Sequence, residues 1–228
     1  MHGSESTTVL SENDVRRVVR LLADVATVAG GHPAKKRVLM EGLRELLDAD
    51  GWLWTMTRVD FARDSPMSLG IMHGGLTDEQ VAGWIEMNHD VRRPPPESHA
   101  LTDLVRRGHH FTRGRDQVVD NTTWYNHANV KRCRLDRGLE HSLHSIYPLD
   151  EPGVVSGVGF YRAYGRPAFT ARQQHLAHLI LSEVAWLHHA DLPAGRGREV
   201  PQLTERQRTV LVLLLEGRPC QELARLLH

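Results

Sequence analysis

The chain has 228 residues, 40 % of them hydrophobic and 25 % charged. That is the balance of a soluble globular protein with room for one large domain or a domain and a small appendage. Its 28 Lys and Arg offset 28 Asp and Glu, so the overall charge lends nothing to nucleic-acid binding and any basic surface has to be local. Two cysteines, Cys133 and Cys220, cannot form a disulfide framework and suit a reducing compartment. Residues 1–10 lack the apolar core of a signal peptide, and no apolar run approaches a membrane span. A cytoplasmic protein with no membrane partner is expected.

Ser11 can cap a first helix, with Asp14 placed to close a capping box. Val15, Val18, Leu22, Val25 and Ala29 then alternate by three and four, as in a short heptad seam. Either the helix packs on its own domain or it pairs with a second copy. Gly30-Gly31-His32-Pro33 breaks it, and Leu39, Leu43, Leu46 and Leu47 give a second helix one apolar face. From Gly51 a strand is predicted, with Trp52, Trp54 and Met56 alternating with Leu53, Thr55 and Thr57. A second strand covers Ser68 to His73. Thr77 and Gln80 form a capping box for a helix with Val81, Trp84 and Ile85 inward.

Pro94-Pro95-Pro96 is a stiff extended turn, followed by a short helix around Leu101 to Arg107. Residues 108–137 are polar and rich in His and Arg; within them Asn121 caps a short helix that carries Trp124 and Tyr125. Two strands, His141 to Leu149 and Val154 to Ala163, are joined at Glu151-Pro152-Gly153 as a hairpin. Thr170 and Gln173 open a last helix with Leu176, Leu179, Ile180, Val184 and Leu187 on one stripe. This order predicts an α+β domain over residues 1–192, an antiparallel sheet with flanking helices. Residues 193–201, with Ala194-Gly195-Arg196-Gly197-Arg198, read as an exposed linker, and residues 202–228 as a separate helical segment.

In that segment Thr204 is an N-cap and Gln207 completes its capping box. Val210, Leu211 and Leu214 form a buried stripe, Gly217 can end the helix in the left-handed conformation, and Pro219 suits the first turn of the next. Two such short helices need a third element to bury their faces. The run Leu203-Thr204-Glu205-Arg206-Gln207-Arg208-Thr209-Val210-Leu211, with Glu216-Gly217 and Glu222-Leu223-Ala224 at the matching spacings, resembles the start of a LuxR/NarL-type helix-turn-helix. It departs at Gln207, where that family usually has Glu, and at Gln221, where a Lys is frequent and often touches DNA phosphate.

Residues 34–190 resemble, by pattern, the GAF- or PAS-like sensor domains of such regulators: Phe160-Tyr161-Arg162 ends a hairpin, and Phe169-Thr170-Ala171-Arg172 opens the final helix. The resemblance implies a homodimeric transcription regulator that senses a small molecule or partner. It also implies that the sequence stops at His228 ahead of the recognition helix, so DNA would be bound by the full-length protein only. Thr204, Arg206, Arg208, Arg218 and Gln221 are the candidate DNA contacts; backbone phosphates are met by Arg and by helix N-termini. The alternative is a stand-alone ligand-sensing or protein-interaction domain without DNA binding, and a second is a small enzyme on the same scaffold.

Trp52, Trp54, Trp84, Trp124 and Tyr125 are the candidate ligand-binding residues, since aromatic-lined concave sites suit small molecules; the competing reading is that they are core. The 15 histidines make no set at zinc-like spacing, so no metal or cofactor is expected. No catalytic motif is present, and no enzyme is expected. Cys133 lies among Lys131, Arg132 and Arg134, which would lower its pKa and make it a candidate redox sensor.

Overall fold

The computed structural model describes residues 10–189 apart from 63, 64 and 91. The readings placed on the linker and on the helix-turn-helix segment, with Thr204, Arg206, Arg208, Arg218 and Gln221, lie outside the described residues.

Three helices begin where their capping boxes predict. Ser11 and Asp14 start α1 (Glu12–Thr27), Thr77 and Gln80 start α3 (Asp78–His89), and Thr170 and Gln173 start α7 (Ala171–Glu183), each with both reciprocal hydrogen bonds in place. Between α1 and α3, α2 (His32–Leu46) has proline in its first turn. It ends near Asp48, which takes the left-handed conformation at φ 53°.

Five strands form one antiparallel sheet: β1 (Gly51–Asp60), β2 (Ser65–Gly74), β3 (Phe111–Gly114), β4 (Leu139–Pro148) and β5 (Val154–Ala163), in the order β2-β1-β5-β4-β3. The fold is α+β, as expected. Strand β3 falls in the polar His- and Arg-rich stretch, where no strand is predicted; at four residues it is fixed by pairing, Phe111 opposite Ile146 and Thr112 opposite Ser145. The remaining helices are α4 (Ser98–Arg106), α5 (Asn121–Asn126), α6 (Ala128–Cys133) and α8 (Ala185–His189), with 3₁₀ turns at Arg115–Gln117 and Leu135–Arg137. Asp120, not Asn121, caps α5, its carboxylate accepting from the Thr123 amide at 2.9 Å.

Period-two alternation divides the sheet between two faces. Trp52, Trp54, Leu143, Val158 and Phe160 point to one side and join Leu39, Leu43, Leu176, Ile180 and Leu187 in the main core with α1, α2, α7 and α8. Leu53, Val155, Tyr161 and Ile146 point to the other, toward α3 and α4.

In three helices a residue predicted to face inward lies at the surface. In α1 the buried residues are Asp14, Leu21 and Val25, while Val15 and Val19 are 50 % and 60 % exposed. Val18 and Leu22 of the same seam pack partly buried against the main core. Both carboxylate oxygens of Asp14 accept from Arg172 of α7, the Nε contact at 3.0 Å, and this pairing holds the Asp14 carboxyl below its usual range. In α3 Val81, Trp84 and Met87 pack inward, and Ile85 is exposed. Leu179 of α7 is likewise at the surface.

Candidate functional site

The face of the sheet opposite the main core carries a cavity of about 110 Å³. Its floor is made by alternate strand residues: Leu53, Thr55, Thr57 and Val59 from β1; Val155, Gly157, Gly159 and Tyr161 from β5; His144 and Ile146 from β4. Its cover comes from Trp84 and Asn88 of α3, from Pro95 and Glu97, and from Ser98, Leu101, Thr102 and Val105 of α4. Arg134, just past the end of α6, closes one side. Two glycines keep the floor open. A Cβ at Gly159 would stand 2.5 Å from the Tyr161 hydroxyl, and one at Gly157 3.0 Å from Thr55 Oγ1.

The walls are largely apolar, but two charged groups are buried among them. Glu97 and Arg134 are each only 4 % exposed. Oε2 of Glu97 and Nε and Nη1 of Arg134 have no hydrogen-bond partner in the protein. The guanidinium lies 4.9 Å from the Tyr161 ring centroid, a cation–π contact. Burial raises the Glu97 carboxyl, against the opposing pull of the Arg134 and Arg115 charges. Burial also holds His144 down to about 4, with Arg134 adding to the effect, so the imidazole is neutral at ordinary pH. Its Nε2 lies 2.9 Å from Ser142 Oγ. The Tyr161 phenol is raised by burial and keeps its proton. The site therefore offers a fixed cation, a carboxyl, a neutral imidazole and a phenol around an apolar hollow, a set suited to recognising a small polar molecule.

Of the five aromatics singled out in the sequence, Trp84 lines this cavity. Trp52 and Trp54 sit on the opposite face, in the main core, donating to Glu41 at 2.9 Å and to Ser156 at 2.7 Å. Trp124 is buried in a satellite cluster with Met87, Val119, Val130 and Cys133, under the Arg115 guanidinium. Tyr125 is 37 % exposed and its hydroxyl donates to Glu140 at 2.5 Å. Sequence reading missed Glu97, Arg134, His144 and Tyr161. Tyr161 could have been found from the alternation of β5; Glu97 and Arg134 had no local signal.

Cys133 is corrected by its surroundings. It is fully buried, and burial pushes its thiol up; Arg132 and Arg137 pull the other way and are outweighed. A buried thiol of this kind is inert. Among the described residues no group of three or more His, Cys, Asp and Glu is placed to hold a metal ion. None of their helices is long and apolar enough to cross a membrane.

No family model matches the sequence, and no curated protein matches it. Among solved structures, CepR2 from Burkholderia cenocepacia, described as an N-acylhomoserine-lactone-dependent LuxR family transcription factor, superposes with a TM-score of 0.52 at 9 % identity, over 80 % of this chain and 96 % of that one. SdiA of Escherichia coli gives 0.49 at 14 % identity over 93 % and 83 %. The GAF domain/HD domain protein from Geobacter sulfurreducens gives 0.41 at 17 % over 75 % and 90 %. At such identities the likeness to CepR2 is one of fold: an antiparallel sheet with helices on its faces.

Proposed function

We propose that the domain binds a small-molecule effector in the cavity between the sheet and α3–α4, as the sensory part of a DNA-binding regulator. The observation that carries this reading is the mostly apolar hollow lined by two buried charged residues that keep unpartnered polar atoms. The fold shared with CepR2, an N-acylhomoserine-lactone-dependent transcription factor, supports a sensing role. The helix-turn-helix pattern at residues 203–227 supports the DNA-binding part, with Arg206, Arg208 and Arg218 meeting phosphates. Binding without turnover is the role assigned to the cavity, and the protein works in the cytoplasm.

Gly159→Val tests the cavity directly, because the added side chain collides with the Tyr161 hydroxyl. In a thermal-shift screen of small metabolites, compounds present at about 100 times Kd should stabilise the wild type by about 2.7 kcal/mol. They should leave folded Gly159→Val unmoved. Equal shifts in the two proteins would place binding elsewhere. Mobility shifts with the full-length protein should weaken steeply between two salt concentrations; no shift with any DNA would favour a stand-alone sensing domain.

A homodimer completes the proposal, since paired half-sites are read by two copies. The outer face of α1 supports it: Val15 and Val19 are exposed one turn apart. Val19→Glu should raise the dimer dissociation constant at least about tenfold by placing an unpaired charge in the contact. Sedimentation equilibrium reads the change, and an unaltered constant would remove α1 from the interface.

A further inference from the structure

The cavity's polar groups also constrain what fills it, and this inference rests on the sensing role just described. A buried polar group without a partner costs free energy, and a buried charge costs more. Glu97 and Arg134 both line the cavity, both are 4 % exposed, and they leave one carboxyl oxygen and two guanidinium N–H positions unused. A neutral ligand with acceptors alone would leave the carboxylate of Glu97 without a donor. A purely apolar ligand would leave both residues stranded. An anionic oxygen would suit the unpartnered Arg134 nitrogens, since a charge-assisted N–H···O bond to a carboxylate is among the stronger ones. A donor on the same molecule would suit Glu97. The rest of the hollow is apolar, with Leu101, Val105 and Val155 around it. Its volume of about 110 Å³ is of the same order as the roughly 150 Å³ cavity that admits a benzene ring.

We propose that the cavity takes a small carboxylic acid with an N–H or O–H donor beside the carboxylate and a short apolar tail, that is, an apolar amino acid or its hydroxy-acid counterpart. The carboxylate sits on Arg134, the donor on Glu97, and the tail among Leu101, Val105 and Val155.

Calorimetry and thermal shift on the intact chain test this with five probes: leucine, its hydroxy-acid analogue, isocaproate without the donor, isoamylamine without the carboxylate, and hexanoyl-homoserine lactone as a neutral comparator. Leucine or the hydroxy acid should bind about ten- to a hundredfold more tightly than isocaproate or isoamylamine, the loss expected for one charged hydrogen bond. Preference between the two acids tells ammonium from hydroxyl as the donor. Arg134→Met and Glu97→Gln should each weaken the preferred acid by at least about tenfold. The wild-type ranking stands as a test by itself if either variant fails to fold. Binding of the lactone to wild type and Arg134→Met alike, with no binding of either acid, would overturn the amino- or hydroxy-acid assignment and leave the sensing role intact. Equal binding of isocaproate and leucine would overturn the assignment too. No response to any probe would overturn it as well, while the wider metabolite screen decides the sensing role separately.

Discussion

Replacing Arg162 by methionine is expected to lower the folding free energy by about 3 kcal/mol, a fall in Tm of roughly 6–12 °C for a domain of this size. The side chain is 2 % exposed and gathers carbonyls from two separate segments. Its Nε donates to Asp48 O at 3.0 Å and Nη2 to Leu47 O at 2.8 Å, at the end of α2. Nη1 donates to Pro167 O at 2.8 Å and Ala168 O at 3.1 Å, ahead of α7. The guanidinium also stacks 4.3 Å from the Phe169 ring centroid. One residue at the end of β5 thus ties the exit of one core helix to the entry of another. Methionine fills similar volume but leaves the Asp48, Pro167 and Ala168 carbonyls unpaired, while Leu47 O keeps its bond from Gln173 Nε2. Urea denaturation at neutral pH measures the effect; a loss below about 1 kcal/mol would show that water replaces the guanidinium at little cost.

Acidification should destabilise the fold through a layer of neutral histidines between α7–α8 and the sheet. His188 is held down to about 3 and His110 to about 4, both mainly by burial; His178 is lowered as well. The hydrogen bonds at His188 need the neutral ring. Trp54 Nε1 donates to Ser156 Oγ at 2.7 Å. The Ser156 hydroxyl then donates to His188 Nδ1 at 2.8 Å, and His188 Nε2 donates to Leu181 O at 2.9 Å. Lys36, 4.8 Å from the Trp54 ring centroid, and His110 and His189 are the cationic or titratable groups nearby, with Tyr147 stacked at 4.5 Å. A proton on Nδ1 would turn that acceptor into a donor and cost the Ser156 hydroxyl its own acceptor.

The sign follows from linkage. In the unfolded chain a histidine titrates near 6.5, so the unfolded state takes up protons first as pH falls. Stability is complete above about pH 6.5 and is lost as pH drops toward the folded values. His188 alone should account for about 3 kcal/mol by about pH 4. Urea melts of wild type and His188→Gln across that range should converge on acidification. Parallel curves would contradict the neutral-histidine network.

Local chemistry made much of the fold legible. Capping boxes at Ser11, Thr77 and Thr170 marked three helix starts, and alternation in Trp52 to Thr57 marked a strand with two unlike faces. Alternation cannot say which face is filled. Trp52 and Trp54 share the packed side, and the hollow lies behind Leu53, Thr55 and Thr57. The rest depended on contacts made only by folding. Asp14 is buried at the start of α1 because Arg172 pairs with it from α7. Strand β3 exists because β4 offers it an edge. Glu97, reached through the proline run, and Arg134, one of a basic cluster, meet the same cavity from separate segments, and neither carries a pattern of its own.

Methyl NMR on the labelled protein, titrated with the compound that stabilises it most in the metabolite screen, tests the central claim most directly. Shifts should concentrate on Leu53, Leu101, Val105, Ile146 and Val155 around the cavity, while Leu43, Leu176 and Ile180 in the main core stay in place. Shifts confined to the core side or to the surface, with the cavity methyls unmoved, would contradict the account.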